Sequence, residues 1–257
     1  MHNPHLSHEK NLTEIFGIPI EGLSADVLME HMRERRKPFW VVTVNPEILL
    51  SCRSRSAYAH AVRQANTRTV DGFGVWLLLR MFGKKTHRVT GADFAERVVA
   101  WAAEQRWKVG FFGGGRWHST QAAADSMKKK YPAVQIVCEE GGIITRDGDE
   151  DAEAEEARYR LMMSELDVLL VALDHVKQEQ WILKHLQDFP KLRLVMGVGG
   201  TFDFWSGTIR RAPTLFRAMG LEWVWRFMKE PERYKRIFRA VIIFPVLFLI
   251  DQCSKKY

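Results

Sequence analysis

A chain of 257 residues that is 46% hydrophobic and 27% charged can bury a sizeable core, which excludes the disordered and fibrous classes. Thirty-eight Lys and Arg against 31 Asp and Glu leave a formal charge of +7, a balance suited to polyanions, phosphate-bearing small molecules or anionic membrane surfaces. Three scattered cysteines with no CxxC pair argue against a disulfide framework or a zinc site and for a reducing, cytosolic setting.

Residues 1–14, MHNPHLSHEKNLTE, are polar and His-rich, and read as a flexible tail rather than a secretory signal. From Ile15 onward the runs IFGIPI, FWVVTV, TRTV, KVGFF, AVQIV, DVLLVAL and LRLVMGV alternate with helical patterns. That alternation predicts an α/β fold over residues 15–207, a Rossmann-like, mostly parallel sheet with helices on both faces. Several runs are apolar throughout, as strands covered on both sides must be. Residues 208–257 are helical, aromatic and basic without a strand pattern, and form a C-terminal helical appendage. Its longest apolar run, AVIIFPVLFLI, is about half of what a helix needs to cross a bilayer, so the expectation is a segment that lies on a membrane or in a core without spanning. Arg226, Arg233, Arg236 and Arg239 are interleaved with Trp223, Trp225, Phe227 and Phe238, the composition of an interfacial helix. Nucleic-acid binding is the competing use of such residues, but the apolar run beside them suits a membrane better.

The chemistry gathers at strand ends. TVDGFGVW leaves Asp71 after a strand, with Gly72 and Gly74 beside it. As residues alone, Asp71 is either the acid of an Asp-Gly turn or a general base whose glycine neighbours let a substrate approach the backbone. TVNPE, Thr43–Glu47, supplies an N-cap, a first-turn proline and an acid to the next helix, so Thr43, Asn45 and Asp71 are expected on one rim. KVGFFGGGRWHST reads strand, glycine loop, helix, with amides able to cradle a phosphate. GGGRWH lacks the last glycine of a dinucleotide fingerprint, although Glu139 about 20 residues on keeps an NAD(P) oxidoreductase as the alternative. No Walker-type loop occurs. GVGGTFDFWSG is a second glycine-rich strand end, either a tight turn or a phosphate or sugar contact. Lys177, Gln178 and Glu179 start the helix after DVLLVAL and suit capping or sugar recognition. Asp147 and Asp149 form a literal D-x-D, read as the opening of an acidic helical run rather than a metal site.

In this order, TVNPE, VDGFGV, RVTG (Arg88–Gly91), FFGGG, KQEQW, GVGGTFDFWSG, RRAP (Arg210–Pro213) and LEWVWRFMKEPERYKR resemble the WecG/TagA/CpsF glycosyltransferase family over about Ile15 to Arg239. The resemblance implies an inverting, metal-independent hexosyltransferase with no cofactor. It would use a UDP-sugar donor (N-acetylmannosamine, its uronic acid, or glucose) and an undecaprenyl-diphosphate-linked acceptor in cell-envelope or exopolysaccharide biosynthesis. It makes Asp71 the base. Thr43, Asn45, Arg88 and Gln178 become pocket residues, beside Gly113, Gly114, Gly199 and Gly200, which the glycine-rich strand ends themselves offer as candidate substrate contacts. Arg226, Arg233 and Arg236 match the arginines of an appendage that closes over the site and meets the membrane. The implied location is peripheral, on the cytoplasmic face of the bacterial inner membrane, with no nucleic-acid partner and a homo-oligomer allowed. Where the family usually carries Gly-x-Pro, this chain has Asp174, His175 and Val176, a departure that bears on the donor sugar.

Overall fold

The computed structural model describes residues 12–34, 38–114, 119–229, 232 and 234–254. Eight strands form one sheet: β1 (Leu12–Ile15), β2 (Ile18–Glu21), β3 (Phe39–Val44), β4 (Thr67–Val70), β5 (Lys108–Gly113), β6 (Gln135–Glu139), β7 (Val168–Ala172) and β8 (Leu194–Gly197), in the order β1-β2-β4-β3-β8-β7-β5-β6. Every pairing is parallel except β1 with β2.

Helices cover both faces. α1 (Ala25–Glu34), α5 (Gly91–Gln105), α6 (Thr120–Lys130) and α9 (Thr201–Trp205) lie on one face. On the other lie α2 (Pro46–Ser54), α3 (Ser56–Gln64), α4 (Phe73–Met81), α7 (Ala152–Met163) and α8 (Lys177–His185). The alternation of β3 shows why FWVVTV is apolar throughout: Trp40, Val42 and Val44 enter one core, Phe39 and Val41 the other, as the two-residue period of a strand requires. The crossover after β5 runs outward to β6, while the one after β7 returns inward to β8. That seam is a topological switch point, where sheets of this kind bind ligands beyond their carboxyl ends.

Three expectations are corrected. The strand begins at Leu12, inside the stretch read as tail; residues 1–11 lie outside the described chain. IFGIPI is two strands, because Ile15 pairs with Ile18 across a two-residue turn in which Phe16 and Gly17 have φ of 51° and 74°. Such primed turns match the twist of a hairpin but favour Asn-Gly or Gly-Gly, so a phenylalanine hid the turn.

The third correction concerns the appendage, which contains α10 (Thr214–Ala218), α11 (Glu222–Lys229), α12 (Tyr234–Phe238) and α13 (Phe244–Ser254). A π-helical segment, Arg239–Ile243, joins the last two into one 21-residue helix, with an 18-residue stretch of mean hydropathy 1.8, long and apolar enough to cross a membrane by length and composition. The reading counted only the uninterrupted apolar run and missed the turns that extend it on both sides. Pro245 lacks an N–H for Val241, and its ring crowds that carbonyl; widening to π geometry lets the helix continue instead of breaking. The helix also rests on the domain. Phe244 and Phe248 are fully buried against Phe16 and Phe82 at ring separations of 6.2 and 5.3 Å.

Candidate active site

Asp71 sits where the sequence expects it, one residue past β4. Its N–H donates to the Val44 carbonyl at 2.9 Å, as does that of Gly72 at 3.4 Å, pinning the turn to the end of neighbouring β3. A Cβ on Gly72 would stand 2.7 Å from Pro46 Cδ, whereas one on Gly74 would meet nothing within 4 Å. Gly72 is therefore required by packing against the first residue of α2, and only Gly74 offers the open approach expected of both.

Three segments meet at the carboxylate. A Cβ on Gly91, the first residue of α5, would lie 2.7 Å from Thr43 Oγ1 and 3.7 Å from Asp71 Oδ2. Val89 N–H donates to Val70 O at 2.7 Å, which carries RVTG alongside β4. Arg88 is thereby held at the same end, with its guanidinium 5.9 Å over the Phe73 ring and Nη2 donating to Arg217 O at 3.0 Å. Asn45 is a working N-cap, its Oδ1 accepting from Ile48 N–H at 3.0 Å, so its amide nitrogen is the end left for other use.

Further along the rim, at roughly 4.8 Å per strand, Gln178 folds over the end of β8. Its Oε1 accepts from Gly199 N–H at 3.1 Å, and its Nε2 donates to Glu179 Oε1 at 2.6 Å. A Cβ on Gly197 would collide with Gln178, while Gly199 faces open space. Glu179, read from sequence as a rim side chain, is 1% exposed and also accepts from Tyr58 Oη at 2.9 Å. Burial pushes its carboxyl up to about 7, against the pull of the Gln178 and Tyr58 bonds. Its link to the rim is the bond it accepts from Gln178.

Gly113 and Gly114 end β5 with φ of 104° and 129°, and Gly114 N–H donates to Ala172 O at 3.1 Å across the switch-point seam. Ser119 Oγ bridges Gly114 O and Asp203 Oδ1 at 3.2 and 2.8 Å, a brace the sequence reading did not single out. Residues 115–118 of the glycine loop lie outside the described chain.

The appendage covers the β4 end. Gly220, at φ 73°, approaches Phe73 so closely that a Cβ would stand 2.2 Å from Phe73 Cγ. Arg236 Nε donates to Glu47 Oε1 at 2.8 Å, two residues beyond Asn45. Arg226 lies on α11 but its side chain is outside the described set, as is Arg233. His175 turns toward α2 and α3: its Nε2 pairs with Ser51 Oγ at 3.1 Å and its ring meets Tyr58 edge-on. Burial pushes its pKa down, with Glu47 opposing and Arg236 reinforcing.

Other candidates fall away from this rim. Glu139 is ion-paired to Arg160 at 2.9 Å, and Asp149 to Lys184. The D-x-D precedes α7 instead of opening it, since Asp151 is the N-cap. Among the described residues no three His, Cys, Asp or Glu side chains group as a metal site. A cavity of about 580 Å³ between α2, α3 and α13, lined by Arg53, Arg63 and Asp251 among others, contains none of the rim residues.

The sequence model of the glycosyl transferase WecG/TagA/CpsF family matches residues 13–257. A Bacillus spizizenii protein named N-acetylglucosaminyldiphosphoundecaprenol N-acetyl-beta-D-mannosaminyltransferase is 29% identical over 205 residues, 79% of this chain and 76% of its own. A Staphylococcus aureus protein of the same name is 26% identical over 249 residues, 95% of this chain and 93% of its own. With a match across nearly its whole length and the motif glycines at one sheet rim, this chain belongs to the WecG/TagA/CpsF glycosyltransferase family and is a glycosyltransferase.

Proposed function

We propose that the chain transfers a hexose-type sugar from a UDP-sugar to an undecaprenyl-diphosphate-linked acceptor, with inversion and without a metal. N-acetylmannosamine is the leading donor sugar because the relatives are named for it. The observation that carries the reading is the meeting of Asp71, Thr43 and the start of α5 at one strand end under the appendage.

Inversion needs one displacement. An acceptor hydroxyl oxygen forms a bond to the anomeric carbon as the bond from that carbon to the UDP oxygen breaks, and Asp71 takes the hydroxyl proton. Thr43 and Asn45 present a hydroxyl and an amide to sugar oxygens on the same strand end. Gly199 and Gly200 leave room for the departing UDP beside the Gly113–Gly114 turn, and the charge that develops on it is met by Arg226, Arg233 and Arg236 of the appendage. Covering the β4 end excludes water, which guards the donor against hydrolysis. An apolar, basic appendage favours a peripheral position at the cytoplasmic face of the inner membrane, where both substrates meet.

The test is UDP release from a panel of UDP-sugars with a short-chain polyprenyl-diphosphate-linked sugar and EDTA. Acceptor-dependent release supports the reading. Release only after adding manganese removes the metal-free mechanism, and silence in both conditions removes the donor and acceptor assignment.

A further inference from the structure

Three guanidinium groups gather at the start of α5, and one carboxylate answers them. Asp93 Oδ1 accepts from Arg211 Nη1 at 2.6 Å and from Arg217 Nη1 at 3.3 Å. Arg88 joins through the Arg217 carbonyl. Burial alone would raise the Asp93 carboxyl, but Arg211, Thr90 and Arg217 together hold it below its ordinary value. The cluster keeps a surplus of two positive charges. Arg211 Nε and Arg217 Nε are both buried and donate to no acceptor. Among the described residues, Arg217 Nη2 donates only to Thr214 Oγ1, at 3.4 Å, so each arginine has more guanidinium donors than its bond to Asp93 uses, in the planar fork that fits phosphate oxygens in pairs.

The position selects the ligand. Asp93 is two residues beyond Gly91, whose Cβ would lie 3.7 Å from Asp71 Oδ2. If Asp71 faces the acceptor hydroxyl, as the proposed function has it, the diphosphate of that acceptor lies one sugar ring away. The appendage that supplies Arg211 and Arg217 also exposes Leu215 at 67%, Met219 at 55% and Trp223 at 42%. The cations thus neighbour the base through the start of α5, and Arg217 shares α10 with the exposed Leu215, as the diphosphate adjoins both sugar and polyprenyl chain in the acceptor. We infer that Arg211 and Arg217, oriented by Asp93, bind the diphosphate of the lipid-linked acceptor. The inference rests on the proposed function and adds to it a site for the acceptor distinct from the glycine-rich turns assigned to the donor.

The full-length protein carrying Arg211→Gln, Arg217→Gln or Arg217→Lys tests it, with steady-state kinetics on a short-chain polyprenyl-diphosphate-linked N-acetylglucosamine and calorimetric titration with UDP. Each Gln variant is expected to raise the acceptor KM roughly 10- to 100-fold while UDP affinity stays within about twofold of the parent. Arg217→Lys keeps the charge and loses the fork, so an intermediate rise is expected; it decides the matter if the Gln variants do not fold. An unchanged acceptor KM overturns the inference. A fall in UDP affinity with the acceptor KM intact reassigns the guanidiniums to the donor and also overturns it. Failure of the proposed function shows earlier and separately, as absence of acceptor-dependent UDP release from the unsubstituted protein, and removes the inference with it.

Discussion

The sheet rim and the appendage hold the same site in different ways. At the rim, the backbone does the positioning: Asp71 and Gly72 donate to Val44, Gly114 donates to Ala172 and Val89 donates to Val70, each a continuation of the strand ladder beneath. The appendage over the β4 end is held by side chains at a few points, Arg236 on Glu47, Arg211 and Arg217 on Asp93, and Gly220 against Phe73. Partly exposed ion pairs of this kind contribute about 0.2–1 kcal/mol each. Lifting α10 and α11 would break these few contacts, whereas moving the groups beneath them would break strand-ladder hydrogen bonds. Accurate placement and easy access are thus divided between two parts of one chain.

Breaking the fixed part gives the largest effect. Asp71→Asn keeps shape and removes the proton acceptor, so turnover is expected to fall on the order of 10²- to 10⁴-fold with UDP binding by calorimetry nearly unchanged; equal turnover would take Asp71 out of the base role. Gly220→Ala attacks the cover instead. Its methyl meets the Phe73 ring at an unfavourable positive φ, so α10 and α11 are displaced and transfer falls on the order of 10²-fold. Melting followed by circular dichroism should stay within about 4 °C of the parent, which separates a lifted cover from an unfolded domain.

Glu179→Gln sharpens the contrast by pH. The folded-state value of about 7 lies above the ordinary carboxylate value of 4.5. The stability tied to its protonated form is therefore complete below pH 4.5 and lost as pH rises through about 7. The glutamine variant lacks that loss, and between pH 5 and 8 its stability should gain about 2–3 kcal/mol on the parent in urea denaturation. A constant difference across that range would mean the buried carboxyl titrates normally. Glu47→Gln is the mildest change: it weakens the Arg236 contact, with an expected stability change below about 1 kcal/mol, and its effect should appear in the salt dependence of acceptor KM. Identical salt dependence in variant and parent would show that the contact does not bear on access.

Much of the sheet was legible because strands buried on two faces are apolar without interruption, as FWVVTV and DVLLVAL are. Asp71, Thr43 and Asn45 were legible because helices in such sheets begin at ligand-binding strand ends, and TVNPE carries its own cap and proline. Glu179 was misjudged as a rim side chain: successive helix positions share an alphabet of polar residues, and only the packed structure shows both Gln178 and Glu179 buried, with Gln178 bonded to the Gly199 turn and Glu179 turned inward to Tyr58. Asp93 was not singled out in the sequence; locally its N–H donates to Thr90 Oγ1 at 3.4 Å, the bond of an ordinary helix cap. Its second role depends on Arg211, 118 residues away, a separation over which charge patterning carries no signal.

The contact between the two ends of the described chain sets an order of events during synthesis. Phe16 N–H donates to Asp251 Oδ2, and Gln252 Nε2 to Glu14 O, while Phe244 fills the face that the first hairpin leaves uncovered. Phe16 and Asp251 are 235 residues apart, so at 5–20 residues per second the hairpin waits about 12–47 s for its partner. Until then the first strands lack their apolar cover. The 21-residue apolar helix therefore leaves the ribosome when the strands of the sheet are already made, and its Phe244 and Phe248 finish the core.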